Sequence, residues 1–317
     1  MCGTDVELRT LTLCLAVAMS IDVNAANGQV PGAPAAAAPA AVDGEFRAGS
    51  MVTDAGELEY KLFVPAALPP LGERALVVMI HGCTQDADDF ARGTRMNAAA
   101  ARDGFVVLWP QQRAANHPQK CWNWYVPAHA RRGAGEVSRM HALITRTIAT
   151  EGIDPGKVYL AGVSAGGAMA VNYAVAWPRD VRAVAVHSAP GALVASDVVT
   201  ALAVMKNGPA EDAETLARRA LDAMGAEARA IPLLAIHGAA DAVVSSRNLD
   251  ALAAQWRGWH ALLGERAQVE TRLIEGLGHA WSGGSADGSF TNPSTPNATQ
   301  MVLDFLHGFG LPGGRRP

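Results

Sequence analysis

Between residues 58 and 274, short runs of Val, Ile and Leu alternate with segments of helical spacing, and this alternation restricts the possible folds more than any other feature. Runs that are apolar throughout, not every second residue, belong to strands buried on both faces, which means a mostly parallel sheet with helices on each side. The expected fold class is α/β. The predicted strands are Leu58 to Val64, Ala75 to Ile80, Phe105 to Trp109, Val158 to Gly162, Val181 to His187, Leu233 to His237 and Val269 to Ile274. Helical spacing covers Asp86 to Arg102, Val137 to Thr150, Ala165 to Trp177, Ser246 to Leu263 and Thr299 to Phe309, with Asp86 and Ser246 as N-caps. Residues 192–230 break the pattern. They form an Ala-rich, charged insertion with a helix predicted at Ala210 to Met224, either a cover for a site or a surface excursion.

Composition removes several function classes. The 317 residues are 50% hydrophobic and 18% charged, enough to bury a large core, so disorder of the whole chain is excluded. With 26 basic against 30 acidic residues the net charge is -4, and no basic field is available for nucleic acid. No apolar run reaches spanning length, so no membrane span is expected. H-E-x-x-H, C-x-x-C and the phosphate-cradling G-x-x-x-x-G-K-[ST] are all missing from the sequence, and no metal or cofactor is expected.

The N-terminal region reads as an exported leader over residues 1–25, with an apolar stretch at 11–21 followed by Val23-Asn24-Ala25. Asp5 and Glu7 oppose that reading. An Ala/Pro tract makes residues 26–47 a linker, and one catalytic domain is expected over 48–312 in a secreted or periplasmic protein. Cys2 and Cys14 would leave with the leader, so Cys83 and Cys121 remain. An even pair in an exported chain suggests a disulfide, and two separately buried thiols are the alternative inside the cytoplasm.

The chemistry centres on Gly162-Val163-Ser164-Ala165-Gly166, which fits G-x-S-x-G directly after a predicted strand and before a helix. Small flanking residues let the nucleophile occupy a strained turn and stand out at the top of the sheet. A serine hydroxyl needs a base, and on such a sheet the acid and then the histidine follow the serine in the chain. Asp241 lies in the loop after the strand that ends at His237, and His279 lies in Gly276-Leu277-Gly278-His279 after the next strand. Asp250 is the rival acid, but it falls on an amphipathic helix. His187 and His237 are the rival bases, but both precede Asp241. The oxyanion donors are expected to be the N–H groups of Ala165 and Cys83, the latter in His81-Gly82-Cys83-Thr84-Gln85, where the His81 side chain is read as structural. Trp122, Trp124 and Tyr125 in Cys121-Trp122-Asn123-Trp124-Tyr125 either wall an apolar substrate pocket or cap the core.

Together with His237-Gly238-Ala239-Ala240-Asp241 and Gly278-His279-Ala280-Trp281-Ser282-Gly283-Gly284, these segments resemble the polyhydroxybutyrate depolymerase family of esterases over about residues 48–310, and with it feruloyl and acetylxylan esterases. The resemblance implies an α/β-hydrolase fold, a Ser164, Asp241, His279 triad, a Cys83 to Cys121 disulfide, and an ester as substrate. Polyhydroxybutyrate or its short oligomers come first, with Trp122, Trp124 and Trp281 as apolar walls. Feruloyl and acetyl esters of plant polysaccharide are the alternative, and a catalytically silent binding protein on the same fold is the rival of another class. Secreted members often carry a further polymer-binding domain, and none follows Leu311 to Pro317, so amorphous polymer or soluble oligomers are the expected form.

Overall fold

The computed structural model describes residues 42–294 and 296–313. The predicted leader, Cys2, Cys14 and nearly all of the predicted linker lie outside the described residues. Eight strands form one sheet: β1 (Gly44–Thr53), β2 (Gly56–Pro65), β3 (Arg74–Ile80), β4 (Val106–Gln111), β5 (Ile153–Val163), β6 (Ala183–His187), β7 (Leu233–Gly238) and β8 (Val269–Ile274). Their spatial order is β1-β2-β4-β3-β5-β6-β7-β8. β1 and β2 form a hairpin, β2 meets β4 antiparallel, and every later pairing is parallel. This is the α/β-hydrolase fold.

The central strands show why continuous apolar runs were required. Along β3, Leu76, Val78 and Ile80 join a core on one face, while Ala75, Val77 and Met79 join a second core on the other. The strand's two-residue period sends alternate side chains to opposite faces, so a strand covered on both sides has no polar position. Each Leu, Ile, Val or Met so buried contributes about 1.5–3 kcal/mol.

Eight helices among the described residues cover the sheet: α1 (Ala87–Thr94), α2 (Met96–Asp103), α3 (Gly135–Glu151), α4 (Ala165–Ala176), α5 (Val198–Asn207), α6 (Ala213–Met224), α7 (Arg247–Leu262) and α8 (Ala298–His307). Asp86 caps α1 as expected, accepting from the Asp89 N–H. Ser246 takes the N-cap position of α7 but is itself helical and makes no side-chain bond, so it does not cap. The helix expected over Asp86 to Arg102 is two, because Arg95 adopts left-handed geometry (φ 56°) and breaks the ladder. Strand β1 starts at Gly44, four residues before the expected boundary at 48. In the insertion, α6 begins at Ala213, not Ala210, and turns Leu216, Ala217, Ala220 and Met224 inward. No helix among the described residues is long and apolar enough to cross a membrane.

Candidate active site

Ser164 sits between β5 and α4 with φ 55° and ψ -126°, a conformation that costs a non-glycine residue on the order of 1–3 kcal/mol. Its neighbours must be glycine. A Cβ on Gly166 would lie 2.1 Å from the Ile80 carbonyl oxygen, and one on Gly162 would lie 2.7 Å from the Gly166 carbonyl carbon. The turn is held by the Ser164 N–H, which donates to the His187 carbonyl at 2.9 Å. The side chain is 9% exposed, at the carboxyl end of the sheet.

Asp241 and His279 come from the loops after β7 and β8. A Cβ on Gly238 would lie 2.2 Å from the Leu277 carbonyl oxygen, so this glycine allows the two loops to meet. His279 Nδ1 and Asp241 Oδ2 are 2.8 Å apart, which leaves Nε2 of the imidazole free of the carboxylate. Asp241 Oδ1 accepts from the N–H groups of Val243 at 3.0 Å and Val244 at 2.9 Å. Burial disfavours this carboxylate, but the His279 hydrogen bond and charge, the Val244 N–H and the Ser188 hydroxyl outweigh it and hold Asp241 below the usual carboxylate range.

The oxyanion loop runs beside the serine, because a Cβ on Gly82 would be 3.4 Å from Ser164 Cβ. Among the described residues the Cys83 N–H donates to no protein acceptor. Cys83 and Cys121 form a disulfide with Cα atoms 4.2 Å apart, and Thr84 N–H donates to the Gln119 carbonyl at 2.6 Å. His81 is structural, as expected. Its Nδ1–H donates to the Gly82 carbonyl at 2.7 Å, its Nε2 accepts the Gln112 N–H at 3.1 Å, and burial pushes its pKa down to about 4.

Residues 58–274 match the family model described as esterase PHB depolymerase. The chain belongs to that family. It is 30% identical over 212 residues to poly(3-hydroxyalkanoate) depolymerase C of Paucimonas lemoignei, a match covering 66% of this chain and 50% of that protein. It is 33% identical over 115 residues to feruloyl esterase B of Neurospora crassa, covering 36% of this chain and 38% of that one. This chain thus spans half or less of the length of these curated relatives. In fold it is similar to an acetyl xylan esterase from Aspergillus awamori, with TM-score 0.68 and 19% identity over 83% of this chain and 100% of that one.

The aromatic walls read from this family's motifs need correction. Trp122 is 0% exposed and donates to the His81 carbonyl, while Trp281 is 1% exposed and donates to Thr299 Oγ1. Both indoles are core residues that brace the site from behind, because their N–H groups find partners inside. Trp124 is 5% exposed, edge-on to the half-buried Tyr125. Phe290, absent from the sequence reading, lies edge-on to His279 at 6.4 Å and is half-buried. Its sequence signal was only an aromatic side chain in a Gly/Ser-rich loop. Both rival histidines are buried. His237 Nε2–H donates to the Val244 carbonyl at 2.8 Å, and His187 lies fully buried behind Asp241. Cavities of about 270 and 670 Å³ lie between residues 127–132 and the insertion, and Ser164, Asp241 and His279 are not among their walls.

Proposed function

We propose that the chain is a serine esterase in which Ser164 is the nucleophile, His279 the base and Asp241 the orienting acid. The observation that carries this reading is the 2.8 Å contact between His279 Nδ1 and Asp241 Oδ2 on the loops after β7 and β8, in a sheet whose β5 ends in a strained serine elbow. The carboxylate fixes the tautomer that leaves Nε2 to take the serine proton. Ser164 Oγ then attacks the ester carbonyl, and the Ala165 and Cys83 N–H groups receive the oxyanion. His279 returns the proton to the leaving alcohol, and water, deprotonated in turn, releases the acyl group.

Polyhydroxybutyrate or its short oligomers is the substrate proposed first, supported by the depolymerases among the relatives. Feruloyl and acetyl polysaccharide esters come second, supported by the feruloyl and acetylxylan esterases also matched. The Cys83–Cys121 disulfide supports a secreted or periplasmic location, since such bonds persist in oxidising compartments.

The test compares wild type with Ser164→Ala on p-nitrophenyl butyrate, with a loss on the order of 10³-fold or more in turnover expected. Equal rates, or a folded wild type without activity, would sink the esterase reading, and the second outcome would leave a silent binding protein. Faster cleavage of peptide amides than of esters would make it a peptidase. Amorphous polyhydroxybutyrate, hydroxybutyrate trimer, methyl ferulate and acetylated xylan assayed side by side then rank the substrates.

A further inference from the structure

Gln85 ends the segment His81-Gly82-Cys83-Thr84-Gln85, and its side chain, 2% exposed, is bonded at both ends of the amide. Oε1 accepts the Gly82 N–H at 3.0 Å, while Nε2 donates to the Ser289 carbonyl at 3.0 Å and to Asp89 Oδ2 at 3.2 Å. A carbonyl and a carboxylate only accept and an N–H only donates, so one orientation of the amide satisfies all three partners. Asp89, on α1, also takes the Ser289 N–H at 3.0 Å and the Ser289 hydroxyl. Ser289 is thus held at each of its polar groups by two side chains 204 and 200 residues earlier in the chain. The next residue, Phe290, has φ 50°, its carbonyl accepts the Trp281 N–H at 2.8 Å, and its ring lies edge-on to His279.

The other end of the same amide fixes the oxyanion loop. A peptide unit is planar with its C=O and N–H pointing opposite ways, so a bond to either group orients both. In the His81–Gly82 unit the carbonyl accepts from Trp122 Nε1 at 3.1 Å and the N–H goes to Gln85. In the Gly82–Cys83 unit the carbonyl accepts from His81 Nδ1 at 2.7 Å. Thr84 N–H is taken by the Gln119 carbonyl. Among the described residues, the Cys83 N–H is therefore the one backbone donor of residues 82–84 without a protein acceptor. Gly82 has no Cβ to restrict its backbone, so these bonds hold the loop where a side chain would otherwise limit it.

We propose that Gln85 is a positioning residue that ties the oxyanion loop to the loop of Phe290, so that the Cys83 N–H and the His279 imidazole are set against the same ester. This rests on the esterase reading above.

Gln85→Met keeps the length of the side chain and removes both ends of the link. Turnover of p-nitrophenyl butyrate should fall on the order of tenfold to a hundredfold, up to the lower bound for a lost oxyanion donor, with KM within about twofold. A glutamine that only stabilised the fold would lower the thermal midpoint and leave kcat and KM at wild-type values. Phe290→Ala should lower kcat by a smaller factor, and in the double variant the two losses should fall short of multiplying, because the second change acts on a loop already released. Asp89→Ala, which frees Ser289 from α1 without touching Gly82, should give a smaller fall in kcat of the same kind. It decides the matter if Gln85→Met does not fold. With an active wild type and a dead Ser164→Ala, a folded Gln85→Met whose kcat stays within about twofold of wild type overturns the proposal. So do losses that multiply in the double variant, or, where only Asp89→Ala folds, wild-type kcat in that variant. An inactive wild type, or an unaffected Ser164→Ala, instead overturns the esterase reading.

Discussion

The two walls of the site are held by different means. On one side, Ser164, His187 and Gly238 stand at the ends of β5, β6 and β7, and the ladder pairs Val163 with His187, His187 with Ile236, and Gly238 with Ile274. On the other side, residues 81–85, 112–125 and 283–290 have no ladder, and a few long-range links hold them. These include the disulfide, the buried Glu136 carboxylate accepting from Gln112 Nε2 and from both nitrogens of Asn123, and Gln85 Nε2 donating to the Ser289 carbonyl. The sheet fixes the strand ends from which the loops bearing Asp241 and His279 leave, and these two side chains meet at 2.8 Å. The loop wall depends on individual side chains, so one broken link should move it as a unit.

Breaking the strand-end wall chemically, without unfolding it, should have the largest effect. Asp241→Asn keeps an acceptor for the Val243 and Val244 N–H groups but turns the wrong tautomer of His279 toward the serine. Turnover should drop on the order of 10⁴-fold with a small change in thermal midpoint. A drop below tenfold would remove Asp241 from the triad. Next comes the loop wall. Loss of the Cys83–Cys121 bond, whose partners are 38 residues apart, should cost about 4 kcal/mol in the loop-entropy model. With Cys83 as the proposed oxyanion donor, reduction should also lower kcat before the protein unfolds. Denaturant midpoints and rates with and without reductant measure both, and unchanged rates in fully reduced, folded protein would separate the disulfide from the oxyanion loop.

The same division explains what the sequence reveals. The seven runs predicted as strands all appear, and the five behind β3 to β7 run through buried residues that leave a continuous apolar trace, unlike β2 and the edge strand β8. β1 escapes because it is an edge strand in which, of Gly44 to Thr53, only Met51 is buried. α5 escapes because Val198 to Asn207 is apolar on most sides and shows no stripe, with Val199 74% exposed. In the candidate site, the positions of Ser164, Asp241 and His279 after β5, β7 and β8 were legible because each follows a strand in fixed chain order. Trp122 and Trp281 misled, since an aromatic residue beside a catalytic motif has the same sequence trace whether it faces solvent or the core. Phe290 had no trace, because its place beside His279 depends on how the loop between them folds and not on its own spacing.

The smallest expected effect compares the walls through their buried histidines. His81 on the loop side and His187 on the strand side have native pKa values pushed down to about 4 and about 3 by burial, against about 6.5 unfolded. The unfolded chain therefore binds protons that the native state refuses. Their contribution is complete above about pH 6.5 and falls with acidification, by on the order of 1 kcal/mol per histidine per pH unit. The His81 share of the loss stops near pH 4, and the His187 share continues to about pH 3. Denaturant midpoints should stay level from pH 7.5 to about 6.5 and fall from there to 4.5 in wild type, and His187→Asn should shrink that slope by about one proton's worth while leaving the His81 share. Because the strand-end ring is walled in by Trp281 and the loop-side ring is fixed by two backbone bonds, neither can escape protonation by turning to solvent without local opening. Equal slopes for wild type and His187→Asn would mean that His187 reaches water in the native state and does not remain neutral there.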